Sequence, residues 1–235
     1  MENVPLYVSI VIVLITLLTI FFLYKATKSR VILGISIAWL IIHGIIGLSG
    51  FYTITSSIPP RFILLIAPPV AAIVLLFLLP AGRKLTSQFD SKWMTWLSVV
   101  RLPVEIVLLW LFLYKTIPQL MTFEGRNFDI FSGITAPFIA YFGYTKLKFN
   151  RSILLLWNFI CLALLLNIVI NAIFAAPFPF QKFAFDQPNI AVLYFPFVWL
   201  PAFIVPAVLL SHLANIRNLL NDRKRTMYDV RCTPA

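Results

Sequence analysis

The chain has 235 residues, 61% of them hydrophobic and only 11% charged, with a formal net charge of +11. A soluble domain carries about a quarter of its residues as charged side chains, so this composition excludes a water-soluble fold. The apolar residues run in blocks of roughly 20, the length an α-helix needs to cross a bilayer, which also excludes a β-barrel with its alternating strands of about ten.

The first block covers residues 5–24. It is too long for the apolar core of a secretory signal, and Glu2 rather than Lys or Arg precedes it, so it reads as a retained helix. Six further blocks follow at residues 31–52, 61–80, 94–114, 128–146, 152–175 and 189–213. The expected fold is therefore an all-α integral membrane bundle of seven transmembrane helices, residues 1–213, followed by a basic amphipathic cytoplasmic tail, residues 214–235.

The loops test this division. Alternate loops hold Lys25, Lys28 and Arg30, then Arg83, Lys84 and Lys92, then Lys146, Lys148 and Arg151, and last Arg217, Arg223, Lys224, Arg225 and Arg231. The opposite set holds Arg61, Lys115, Arg126 and Lys182, and Arg101 lies within a span. Because Lys and Arg concentrate on the cytoplasmic side, the bias predicts an outside amino terminus, a cytoplasmic carboxyl terminus and a location in a bacterial inner (plasma) membrane. Cations placed in loops rather than in one stripe point to anionic lipid at the inner leaflet, not to nucleic acid. Tyr52, Trp93, Trp96, Tyr114, Tyr141 and Tyr144 read as interfacial residues at helix ends.

Two segments outside the spans are amphipathic. The loop bearing Phe178, Phe180, Phe183 and Phe185 is too apolar to be freely solvated, and is expected at the membrane interface or folded back over the bundle. Ile216, Leu219 and Leu220, set among Arg217, Asn218, Arg223 and Lys224, predict an extension of the last helix along the inner leaflet.

The chemistry concentrates in the fourth span. Arg101 and Glu105 lie four residues apart within hydrocarbon, where each charge costs on the order of 2.5–3.5 kcal/mol at a helix centre. That spacing puts both on one helix face, where each can neutralise the other. Pro103 removes a backbone donor between them and so frees the carbonyl of Val99 near the arginine. Alternatively, Arg101 simply reaches the nearer boundary and acts as a structural clamp.

His43, near the middle of the second span on a face with Gly47 and Gly50, and Asn158 in the sixth span are candidate partners of this pair. Asn167 and Asn171 fall on roughly the opposite face of the sixth span from Asn158. At the start of the fifth span, Arg126, Asp129 and Ser132 form a candidate outer mouth, with Asn127 or Asp129 as a helix cap. Prolines 68, 69, 103, 137, 196, 201 and 206 predict bends in four spans.

Several functions are excluded. A retinal protein of the microbial rhodopsin kind needs a lysine in its last span, and residues 189–213 contain none. The two histidines, His43 and His212, lie at different depths, and no HExxH, histidine box, DDxxD cluster or phosphate-binding glycine loop occurs. Neither Cys161 nor Cys232 belongs to a CxxC site. No cofactor and no metal is expected. The reading that remains is a non-enzymatic protein binding or transporting a small anionic or amphiphilic molecule at Arg101 and Glu105. The alternatives are an intramembrane enzyme acting on a lipid, with Glu105 and His43 as acid and base, and a ligand-free assembly subunit.

Overall fold

The computed structural model describes residues 4–231, with side chains as far as Asn221. Among these residues the structure is helical, with no strand. Helix α1 (Leu6–Thr27) ends at Lys28, whose left-handed backbone closes a bond to the Tyr24 carbonyl at 2.7 Å. The side chain of Ser29 then caps α2 (Arg30–Leu48) through the amide of Ile32. Within α1 the hydroxyls of Thr16 and Thr19 donate to carbonyls one turn back, at 2.8 Å each, so neither is left unpaired in an apolar setting.

Helix α3 (Ile63–Leu78) runs through Pro68 and Pro69 and meets α4 (Pro80–Thr86) at 95°. The corner follows from Pro80. Its ring pushes Leu79 to an extended ψ of 140°, and it then sits in the first turn of α4, where its missing N–H costs nothing. Gly82 completes the corner, because a Cβ there would stand 2.5 Å from the Leu76 carbonyl oxygen. Asp90 caps α5 (Ser91–Leu97) through the amides of Lys92 and Trp93, and a short 3₁₀ turn leads into α6 (Arg101–Leu113).

Five helices are long and apolar enough to cross a membrane: Leu6–Thr27, Arg30–Leu48, Ser91–Leu113, Arg151–Ala175 and Leu200–Asn221. The bent α3–α4 pair is either a sixth, broken span or a re-entrant loop. The expected fifth span differs. There α7 (Ile130–Phe138) continues into a π-helical stretch, Ile139–Thr145, and the two have 9 and 7 residues. By helical rise they cover about 24 Å, short of the roughly 30 Å of a hydrocarbon core.

The reason lies before α7. The segment 114–129 turns back into the bundle from the Leu113 end of α6, burying Ile117, Met121, Thr122, Asn127 and Asp129. It delivers Asp129 to Arg101, about 18 Å along α6 from Leu113 by helical rise.

Helix α8 (Arg151–Ala175) is capped by Asn150. The expected seventh span starts late. Residues 189–199 are mostly irregular, with a 3₁₀ turn at Ala191–Leu193, and helix begins with the π stretch Leu200–Ile204 before α9 (Val205–Arg231). Pro196 and Pro201 each lack a backbone donor. The preceding amides find other acceptors, Ile190 and Ala191 both bonding the Thr116 carbonyl.

Helix α9 packs on α8 and α5, α1 on α5 and α6, and α7 on α6. The phenylalanine loop folds back over this bundle at its first part: Phe178 is buried between Phe62 and Phe180, whereas Phe185 is 72% exposed. In the α9 extension Ile216 and Leu219 are buried and Leu220 is exposed, while Arg223 and Lys224 lie outside the residues whose side chains are described. Tyr52, expected at the interface, is wholly buried because its hydroxyl bonds His43.

Candidate functional site

Arg101 opens α6 with its side chain 4% exposed. Pro103 follows two residues later, in the first turn, where a missing donor is tolerated. The guanidinium is held from three elements. Nε donates to Asp129 Oδ2 at 2.9 Å and Nη2 to Oδ1 at 2.7 Å, a two-pronged ion pair with the residue preceding α7. Nη2 also donates to the Cys161 carbonyl on α8 at 3.0 Å, and Nη1 to His212 Nε2 on α9 at 3.3 Å. Four of its five N–H groups are thereby committed.

The expected Arg101–Glu105 pair therefore does not form; Asp129 takes the arginine. Arginine followed by glutamate is the weaker order for a spacing of four, and a planar guanidinium gains more from two parallel bonds to one carboxylate. The freed Val99 carbonyl is likewise not its acceptor; the Cys161 carbonyl is. Gly133 makes the arrangement possible. A Cβ there would lie 2.6 Å from the Leu102 amide nitrogen, so only glycine lets α7 approach α6 closely enough for Asp129 to reach.

Glu105, one turn along, is 1% exposed. Its Oε1 accepts from Asn127 Nδ2, which also donates to the Met121 carbonyl at 3.1 Å. Asn127 Oδ1 accepts from the Asp129 amide at 3.1 Å and so ties the two carboxylates together; the Asp129 side chain caps nothing. Glu105 Oε2 is buried without a partner among the described residues.

His212 can be assigned a state from its bonds. A guanidinium only donates, so Nε2 carries a lone pair. Asn158 Nδ2 donates to the Leu154 carbonyl at 2.8 Å, leaving Asn158 Oδ1 to accept from His212 Nδ1 at 3.0 Å. His212 is thus neutral, with its proton on Nδ1.

The other sequence candidates divide. Asn158 joins the network through His212. His43 lies apart, bonded to Tyr52 with its ring 3.9 Å from that of Trp39. Gly47 admits Val198, with a Cβ there 3.1 Å from its methyl, while Gly50, with a φ of 72°, belongs to the turn after α2. Of the three residues assigned to an outer mouth, Arg126 is exposed and offers its carbonyl to Asn167 at 2.8 Å. Asp129 is at the centre of the cluster, and Ser132 is buried beside Cys161. Asn171 bonds Asn167 at 3.3 Å.

Beside the cluster lies a cavity of about 260 Å³. Arg101, Glu105, Asn127, Asp129 and Asn189 are its polar lining residues; Leu165, Ile168, Val169, Ala172, Val192 and Ile204 are among the apolar ones. Asn189 is wholly buried. Its Nδ2 donates to the Ala172 carbonyl at 3.2 Å, and its Oδ1 has no partner among the described residues. A second cavity of about 270 Å³, between α1, α2, α3 and α9, is lined by apolar groups with Ser36 and Trp39, and the Trp39 N–H already bonds the Ala202 carbonyl.

Sequence reasoning missed His212 and Asn189 as members of the site and read Asn127 as a cap or part of an outer mouth, not as the partner of Glu105. Depth was no guide, because on the expected bounds His212 fell at the very end of the last span; only the observed helices, Ser91–Leu113 and Leu200–Asn221, bring it level with Arg101. Among the described residues, no three His, Cys, Asp or Glu side chains converge to hold a metal ion.

The family model described as "Domain of unknown function (DUF8737)" matches residues 58–220, more than half of the chain, and the chain belongs to that family. No curated protein and no solved structure matches it.

Proposed function

We propose that this member of the DUF8737 family is a polytopic protein of a bacterial inner membrane, which binds or transports a small amphiphilic molecule in the cavity beside Arg101 and Glu105. In this reading the polypeptide crosses seven times, with its amino terminus outside and its carboxyl terminus in the cytoplasm. The loop bias of Lys and Arg supports the orientation. The fifth crossing combines the inward-turning segment 114–129 with α7 and its π-helical continuation.

The observation that carries the ligand reading is the cavity, apolar over most of its wall, with buried polar groups at the same place. Irregular backbone at membrane depth is tolerated where it is buried in protein or lines a cavity. Residues 114–129 and 189–199 are two such stretches, and both supply lining residues. Of the anionic and amphiphilic ligands the sequence leaves open, the geometry favours the amphiphile, because Arg101 has one N–H left for an anion.

A second reading has its own support: the Arg101 network joins α6, α7, α8 and α9, as an assembly clamp would. The lipid-enzyme alternative loses its base, since His43 is bonded away from Glu105.

Native mass spectrometry of gently solubilised protein tests the proposal. The wild-type chain should retain an amphiphile, and Ala172→Phe, which fills the cavity wall on α8, should lose it while still folding. Equal ligand in both proteins, or none in either, would favour the clamp.

A further inference from the structure

Resting on the amphiphile-binding reading, the geometry points to a narrower ligand class: we infer that the bound molecule carries a primary ammonium on an alkyl chain, its N–H groups meeting Glu105 Oε2 and Asn189 Oδ1. Both atoms belong to residues lining the same cavity, both residues are at most 1% exposed, and neither atom has a partner among the described residues. Unpaired buried acceptors are costly. Asn189 Oδ1 is fixed as an acceptor by its neighbour, and Glu105 Oε2 is left open by its own. Asn127 donates to the other Glu105 oxygen, and the Ala172 carbonyl takes the Asn189 amide. What the cavity lacks is donors.

It can also take one positive charge. Arg101 and Asp129 cancel each other at 2.7 Å, and His212 is neutral by its bonds. An ammonium brought to Oε2 would hold the Glu105 carboxyl as the carboxylate, since the other charges of the cluster are already paired. A primary ammonium supplies one charge and three donors, enough for both acceptors. The side chains of Leu165, Ile168, Val169 and Val192 suit an alkyl chain. An alcohol would satisfy one acceptor and bring no charge to pair with Glu105; a carboxylate would bring a charge of the same sign as the Glu105 carboxylate.

The test uses the full chain in neutral detergent with octylamine, octanol and octanoate, each titrated and read by native mass spectrometry, with Ala172→Phe as the background for partition into detergent. Octylamine should bind at least tenfold more tightly than the other two. In Glu105→Gln this preference should fall to within about twofold while octanol binding persists, and Asn189→Leu should weaken octylamine several-fold. Should Glu105→Gln fail to fold, the wild-type ranking and Asn189→Leu still decide. Equal binding of all three probes, or a preference for octanoate, overturns the ammonium inference and leaves the amphiphile reading standing. No cavity-dependent binding of any probe overturns both.

Discussion

Replacing Asp129 by asparagine isolates the ion pair from everything around it. The side chain keeps its size and one oxygen, but loses the charge and turns one of its two acceptors into a donor facing Arg101 Nε or Nη2. The two side chains are 4% and 7% exposed, so water cannot take over. Removing one member of a buried pair costs about 3–5 kcal/mol, because the other charge is left uncompensated. For a chain of this size each kcal/mol lowers Tm by about 2–4 °C, so Asp129→Asn should unfold roughly 6–20 °C below the wild type. Intrinsic tryptophan fluorescence during heating in detergent is the readout, since the Trp157 ring lies 5.6 Å from that of His212. The double variant Arg101→Met/Asp129→Leu should recover most of the loss, because apolar groups of similar volume replace a buried pair at little cost. Glu105→Gln should lose under about 1 kcal/mol, since its Oε1 still accepts from Asn127. If Glu105→Gln is as damaging as Asp129→Asn, and the double variant recovers nothing, the assignment of Asp129 as the partner of Arg101 is wrong.

Three further outcomes follow from the same geometry. Gly133→Ala should cost about 1–3 kcal/mol by overpacking, since its methyl would meet Leu102 backbone at 2.6 Å; an unchanged Tm would mean that α7 does not sit this close to α6. His212→Phe removes both the donor to Asn158 and the acceptor for Arg101, and should lower stability by about 1–3 kcal/mol for each group left unpaired; a wild-type denaturation midpoint would contradict the network. For topology, single cysteines at Ser87 and Lys182 in a Cys161→Ser/Cys232→Ser background should label from opposite sides of the membrane, with Ser87→Cys reached from the cytoplasm. Labelling of both from one side would refute the proposed orientation.

Residue chemistry along the chain was enough to establish a helical chain with several helices long and apolar enough to cross a membrane. The penalty for unpaired backbone in hydrocarbon is local and acts on every segment alike, so a block of apolar residues announces a helix wherever it falls. The same penalty made Arg101 and Glu105 conspicuous as charges out of place. Their partners were not local. Asp129 lies 28 residues from Arg101, His212 lies 111 residues away, and Asn158 is 54 residues from His212. Sequence spacing offered Glu105 as the counterion because it is the nearest carboxylate on the same face. The bundle supplied a better one by turning the segment before α7 inward, a course permitted by the missing Cβ of Gly133. That inward turn also explains why the fifth block is too short to be a plain transmembrane helix, and the cluster of prolines why the seventh begins eleven residues late, at Leu200. Composition decided that the polypeptide enters the membrane as helices. Which buried charge meets which, and which acceptors are left over beside the cavity, depended on contacts between helices far apart in sequence, where side-chain geometry rather than spacing selects the partner.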